Sequence, residues 1–269
     1  MDTLYPAEAH HRPRIPAPTT PTPPLTDPDA ARDWLDTERP ILVAVAAHTA
    51  NHGWPTHTTR LSATLFRYFT GGHFADAVAI HGHARDAARV IDDPTAQAAA
   101  LTNLGEAHMQ MSRHGSAAEC FAEALPLFRR ADDEVGQARA VHNLGIVEQR
   151  LGRYESAATH YRRALELCGR TGDRTGEAGA HNGLGEAAQT AGRTADALAH
   201  HTAAHAIVTT TGARDQLARA HAGLGHAHRA LGDLTAAREE YRRAPALYTD
   251  LGMVGADVVR SHLAALDER

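Results

Sequence analysis

The chain has 269 residues, 43% of them apolar and 22% charged, with a net charge of -5 and no lysine, so that all 27 basic residues are arginine. No apolar run approaches the roughly 18 residues that a membrane span needs, and the charge balance lacks the basic footprint of a nucleic-acid-binding surface. The opening residues are polar rather than basic-then-apolar, which sets a cytoplasmic expectation, and Cys120 and Cys168 are expected to be packed thiols rather than a disulfide.

In chain order, residues 1–28 contain the run Ile15-Pro16-Ala17-Pro18 through Pro21-Thr22-Pro23-Pro24 and read as a disordered linker, since proline removes donors and cannot sustain a helix. Residues 29–56 read as capping helices: a short one over 29–39 around Trp34-Leu35, then a longer one over Ile41 to Asn51, with Ile41 and Ala44 at packing positions. Five helical hairpins are expected over 57–250. The first pairs Thr58 to Phe69 with Phe74 to Val90, and the others fall near 94–130, 134–170, 174–210 and 214–250. Residues 251–269 supply a lone closing helix, because a solenoid must cover its last apolar face.

The hairpins follow from a 40-residue period. Leu104-Gly105, Leu144-Gly145, Leu184-Gly185 and Leu224-Gly225 recur in register, and a fixed period of this size marks a stacked repeat array. Within one unit Tyr154, Ala157, Ala158, Tyr161, Ala164, Leu165 and Cys168 form one apolar stripe at helical spacing, with Glu155, His160, Arg162 and Arg163 on the other face. Gly152 stands where a left-handed residue ends the preceding helix. Asp93, Asp133 and Asp173 stand at helix N-caps, whereas Ala213 and Met253 lack that cap. Pro245 falls inside a helix and predicts a kink there.

Leu144-Gly145 with Ala157, Tyr161 and Ala164, and the matching residues around Phe121 and Tyr241, resemble the tetratricopeptide repeat in a long, 40-residue form. The resemblance implies an all-α fold, a right-handed α-solenoid of stacked helical hairpins, and a protein- or peptide-binding role. A second resemblance lies in Leu4-Tyr5-Pro6, Arg12 to Pro16 and Trp34 to Ala44. These resemble the C-terminal part of bacterial antibiotic-regulatory transcription factors that join a DNA-binding domain, an NB-ARC-type ATPase and a tetratricopeptide sensor. No winged-helix region precedes the run, and a chain without lysine holds no P-loop. The implied role is a sensor or scaffold module working with a separate transcription regulator.

Catalytic motifs are not found. Gly183-x-Gly185-x-x-Ala188 lies in a helical pattern with no strand before it, and Ser116 and Ser156 read as helix caps. No enzyme activity and no cofactor are expected. Histidines cluster at His81/His83, His200/His201/His205 and His226/His228, which leaves a metal-responsive or catalytic His-rich protein as the alternative. His81 and His201, however, hold the aromatic position of Phe121 and Tyr161, which favours packing, and no metal site is assigned.

The candidate ligand surface is a stripe on each hairpin's first helix. His142, Ile146, Gln149 and Arg150 define it, with equivalents Thr102, Glu106, Met109 and Gln110; Asn182, Glu186, Gln189 and Thr190; and Ala222, His226, Arg229 and Ala230. Stacking places these side by side on a concave wall. Resemblance to peptide-binding arrays adds Asn103 and Asn143 as backbone-binding asparagines. Arg219, His226 and Arg229 read as a positive end suited to an acidic residue or a C-terminal carboxylate. The groove candidates are thus Asn103, Glu106, His142, Asn143, Ile146, Arg150, Asn182, Glu186, Arg219, His226 and Arg229, and the expected ligand is a protein or peptide, with no direct nucleic acid and no membrane.

Overall fold

The computed structural model describes residues 1–6, 9, 12, 13, 23, 25–250 and 256–267. Among these the secondary structure is helical throughout: α1 Pro28–Asn51, α2 Pro55–Phe69, α3 Phe74–Val90, α4 Pro94–Gln110, α5 His114–Arg130, α6 Glu134–Arg150, α7 Tyr154–Thr171, α8 Arg174–Thr190, α9 Thr194–Thr211, α10 Arg214–Leu231, α11 Leu234–Asp250 and α12 Ala256–Asp267. Consecutive helices pack as hairpins, so the all-α repeat architecture read from the period is present. The chain forms two compact units, Met1–Gly136 and Gln137–Arg269.

In the first unit α1 to α4 pack around Leu35, Leu65, Tyr68, Phe69 and Ile80. The two helices expected at 29–39 and 41–51 are one, running through Pro40. Leu35 and Ala46, on either side of the proline, are both buried, so tertiary packing holds the helix across the lost backbone donor. Ile41 is 58% exposed and Ala44 is exposed too; Ala46 and Thr49 take the packing positions instead. Around α1, Arg39 donates to Asp76 at 2.9 Å and to Asp36 at 3.1 Å, and the Tyr68 hydroxyl donates to Asp36.

The second unit carries α6 from Gln137 onward to α12. A ring from each hairpin's second helix seats on glycines: Tyr161 lies against Gly145 and Gly183, where a Cβ would come within 2.7 and 2.6 Å of the ring. His201 sits the same way between Gly185 and Gly223, and Tyr241 on Gly225. In the first unit Phe121 seats on Gly105. The glycines are there because the ring occupies the volume a side chain would take. α12 closes the unit by burying Val259 and Leu266 against Tyr241 and Tyr248.

The Asp carboxylates cap as expected: Asp93 accepts from Ala96 N–H at 2.9 Å, Asp133 from Gly136 at 2.8 Å and Asp173 from Gly176 at 2.9 Å, while Ala213 offers α10 no side-chain cap. Met253 lies outside the described residues. Ser116 and Ser156 are not caps; α5 and α7 start after Arg113 and Arg153 with no side-chain cap bond. The turns before them instead use left-handed residues, Ser112 at φ 57° and Gly152 at φ 75°. α11 runs unbroken through Pro245 to Asp250, so the proline does not end the helix, and Thr249 Oγ1 donates to the Pro245 carbonyl at 2.9 Å.

Candidate functional site

In the second unit the stripe residues of α6, α8 and α10 form one hydrogen-bonded row. Gln149 Nε2 donates to Glu186 Oε2 at 2.8 Å, and Arg219 donates to Glu186 Oε1 from Nε at 3.0 Å and from Nη2 at 2.8 Å. Tyr161, held on its glycines, donates its hydroxyl to Gln149 Oε1 at 2.8 Å. Arg219 Nη1 continues to Gln216 Oε1 at 3.1 Å, and Asn182 Nδ2 donates to the Gln216 carbonyl at 2.9 Å. Burial pushes the Glu186 carboxyl up, but the Arg219 charge and the bonds from Gln149 and Arg219 outweigh it and leave Glu186 below the ordinary carboxylate value. A third of the Glu186 side-chain surface remains accessible, so the row is fixed from behind and open in front.

This changes the role of several candidates. Arg219 is not a free fork for a ligand carboxylate, because Glu186 already occupies it. Asn182 is fully buried and bonded within the protein, also to His201 Nδ1 at 3.2 Å. Ile146 is half-buried against the Tyr161 and Leu184 cluster. His142 is half-buried with its ring 5.4 Å from Tyr161 and its pKa lowered to about 4, by burial first and by Arg219 second; it engages Asn143 beside it. Arg150 and Arg229 are exposed. Arg229 Nη1 lies 2.8 Å from His262 Nδ1 on α12, and His226 Nδ1 lies 2.6 Å from the Tyr241 hydroxyl. His226, His262 and Tyr241 form an aromatic cluster with His226 and His262 rings 5.0 Å apart, so α12 supplies one wall of this end.

Asn103 and Glu106 lie in the first unit. Asn103 is 7% exposed and lines two depressions. One is a small slot floored by Phe66, Phe69, Phe74 and His81, with Glu106 and Gln110 at its edge. The other is an open groove of about 320 Å³ between α2 and α4, lined by Thr56, Thr59, Arg60, Ala99 and Asn103.

The histidines disperse into packing roles. His81 is buried against Ser62 Oγ at 2.7 Å, with its pKa lowered to about 3 by burial. His201 and His205, one helical turn apart, do not converge: His201 meets Asn182, and the His205 ring lies 5.0 Å from His221, which pairs with Glu240 at 2.6 Å. Among the described residues no three His, Cys, Asp or Glu side chains converge on a metal-sized site. Cys120 and Cys168 are free, buried thiols raised to about 11 by burial.

Gln149 and Gln216 are members of this hydrogen-bonded row that the candidate groove omitted. Gln149 was visible as a stripe residue, but its link to Tyr161 and Glu186 depends on stacking. Gln216 lies off the stripe, one turn before Arg219.

No curated protein sequence matches this chain. Among solved structures, BtubC (BKLC) from P. vanneervenii superimposes with a TM-score of 0.66 at 22% identity over 82% of this chain and 92% of that one. Aspartyl phosphate phosphatase F from Bacillus subtilis gives 0.64 at 13% identity, over 98% of this chain and 63% of the phosphatase chain. A Rap protein complexed with competence and sporulation factor gives 0.58 at 11% identity, over 89% and 73%. Likenesses this distant in sequence establish the fold. They and the family match concern the repeats, and neither supports the N-terminal likeness to antibiotic-regulatory transcription factors. The family model described as tetratricopeptide repeat matches residues 96–170 and 176–250, more than half the chain; the chain belongs to the tetratricopeptide repeat family.

Proposed function

We propose that this chain is a non-catalytic regulatory scaffold that binds an extended peptide or protein segment across the first helices of its second unit, and that it acts with a separate transcription regulator. The second clause is carried by the N-terminal sequence alone. The observation that carries the first is the Gln149–Glu186–Arg219 row, with spacings of 2.8 to 3.0 Å, fixed by Tyr161 from behind and flanked by exposed Arg150 and Arg229. A row whose side chains are already immobilised costs little ordering entropy on binding. Because Glu186 and Arg219 compensate each other, the row presents a dipolar surface suited to peptide amides, and net attraction comes from Arg150 and Arg229 at its margins. The Rap protein of similar fold is complexed with competence and sporulation factor, which fits a ligand held by stacked helical hairpins here.

The test is selection of binders to the full chain from a random peptide library, then titration against variants. Arg229→Ala should weaken the selected peptides about tenfold and flatten their salt dependence. Glu186→Gln, which releases Arg219, should change which peptides bind. Selected peptides that bind Glu186→Gln and Arg150→Ala/Arg229→Ala as tightly as the unaltered chain would sink this reading.

A further inference from the structure

In the second unit, His181 on α8 and His200 on α9 meet nitrogen to nitrogen, Nδ1 to Nδ1 at 3.1 Å. Other histidine pairs approach by ring faces or edges, with a nitrogen of the pair tied elsewhere. His52 Nδ1 lies 2.8 Å from the His48 carbonyl, His221 Nδ1 lies 2.6 Å from Glu240, and His226 and His262 are taken by Tyr241 and Arg229. The 40-residue period shows the pair to be particular to this hairpin. The same two places hold Leu101 and Cys120, Val141 and His160, and His221 and Glu240 in its neighbours.

The separation of the two rings is set by the backbone. Asn182 and His201, the next residue on each helix, lie 3.2 Å apart in their own hydrogen bond, and His201 is seated between Gly185 and Gly223. The helices are thus pinned one residue from the pair. Both rings are half-buried, and burial is the first cause lowering both pKa values, with His181 next at His200. Two neutral rings share one hydrogen here: one Nδ1–H donates and the other Nδ1 accepts. Moving that hydrogen to Nε2 of its own ring changes no charge and leaves two Nδ1 lone pairs, which a small turn of the rings makes converge. Two imidazole nitrogens on one tetrahedral zinc, at about 2.0–2.1 Å each, stand roughly 3.3 Å apart, and cis on a square copper(II) roughly 2.9 Å. The observed separation lies between these.

We propose that His181 and His200 form a two-nitrogen site for a divalent transition metal of the zinc or copper class, which clips α8 to α9. No third His, Cys, Asp or Glu joins them among the described residues, so water completes the coordination. Glu177 and Asp196 stand one helical turn before His181 and His200, and their charges favour a cation, whereas Arg162 and Arg193 near His200 oppose one. With both signs around it, the site discriminates through its nitrogen lone pairs. Calcium and magnesium, which take oxygen ligands, should not bind.

The experiment titrates the tag-free full chain with zinc, and separately with copper(II), against a chromophoric chelator, with magnesium as the control. One equivalent should bind ahead of the weaker sites that other histidines provide. His181→Val, which installs the residue found at Val141, and His200→Gln should each weaken that first equivalent at least about tenfold. His160→Gln, at the place equivalent to His200 in the hairpin that carries Val141, should leave it unchanged. A first equivalent that survives in the folded His181→Val and His200→Gln chains, or that His160→Gln weakens as much, overturns the proposal. Should the variants fail to fold, the imidazole ¹⁵N spectrum of the unaltered chain decides. One equivalent of zinc should bring two rings to the form with metal on Nδ1 and hydrogen on Nε2, and one ring or none in that form overturns the proposal. The titration contains no peptide, so the metal site and the peptide reading fall separately.

Discussion

The α4/α5 and α8/α9 hairpins solve the same packing problem with different chemistry. In the first, Phe121 is buried on Gly105 and asks nothing of its surroundings but volume. In the second, His201 fills the equivalent place between Gly185 and Gly223 and needs a polar partner, which Asn182 supplies at 3.2 Å. His81 in α3 repeats the arrangement with Ser62, and in both cases the partner lies 19 residues earlier. A histidine in the ring position thus brings its own acceptor or donor, as a buried polar group must. It also leaves a debt: Tyr161 bonds Gln149 with its hydroxyl, whereas His201 has none to give the equivalent Gln189, whose Oε1 is buried without a partner among the described residues.

The largest consequence is a pH dependence carried by the buried histidines. Burial lowers the His201 pKa to about 4, ahead of the opposing pull of Glu186 and the push of Arg219, His226 and His200. The unfolded chain therefore takes up a proton that the folded chain refuses. Stability is full above about pH 6.5 and falls through that window to about pH 4, by about 3 kcal/mol for this one group at about 1.4 kcal/mol per unit. His81, lowered to about 3, acts in the same direction in the first unit. Urea unfolding at pH 7 and 4.5 should show the loss, and His201→Phe should remove about one proton's worth of the slope. An unchanged slope would mean that the ring position is as indifferent to chemistry as Phe121 suggests.

The next effect tests the steric side. An alanine Cβ at Gly223 would lie 2.3 Å from the His201 ring, which its Asn182 bond prevents from moving aside. Gly223→Ala should cost about 2 kcal/mol, read as a lower denaturation midpoint. A smaller effect separates capped from uncapped first helices: Asp173→Ala should cost about 1 kcal/mol, and Ala213→Asp should gain about the same. Smallest is Gly169→Ala, in open space on α7, which should stabilise by about 0.5 kcal/mol. A destabilising Gly169→Ala beside a neutral Gly223→Ala would reverse the steric argument.

The period carried most of the fold into the sequence, because each hairpin repeats one local solution. Asp93, Asp133 and Asp173 were legible since an N-cap bond spans three residues. Ser116 and Ser156 misled because the second helices are started by the left-handed turn at Ser112 and Gly152, a backbone device that needs no capping side chain. Pro40 misled because local propensity says break where Leu35 and Ala46 anchor both halves of α1. For the site, the period placed the stripe but not its pairing. Glu186 meets Arg219 33 residues on, and Gln149 meets Glu186 37 residues on. Those offsets are one repeat less about two turns or one turn, so stacked first helices bring them together. Charge read along a single helix therefore made Arg219 look available.

The packing of Met1 on the first unit has a practical corollary in amine chemistry. With no lysine in the sequence, no side chain is a primary amine, and a 269-residue chain made to begin at Met1 presents that residue's amino group to amine reagents. Burial, and then the Arg12 charge, lower its pKa, and Met1 packs on the Leu35 cluster. An amine-reactive ester on that chain therefore marks one known atom, beside the Leu35 cluster. Its acylation rate is a clock for how often Met1 lifts from that cluster.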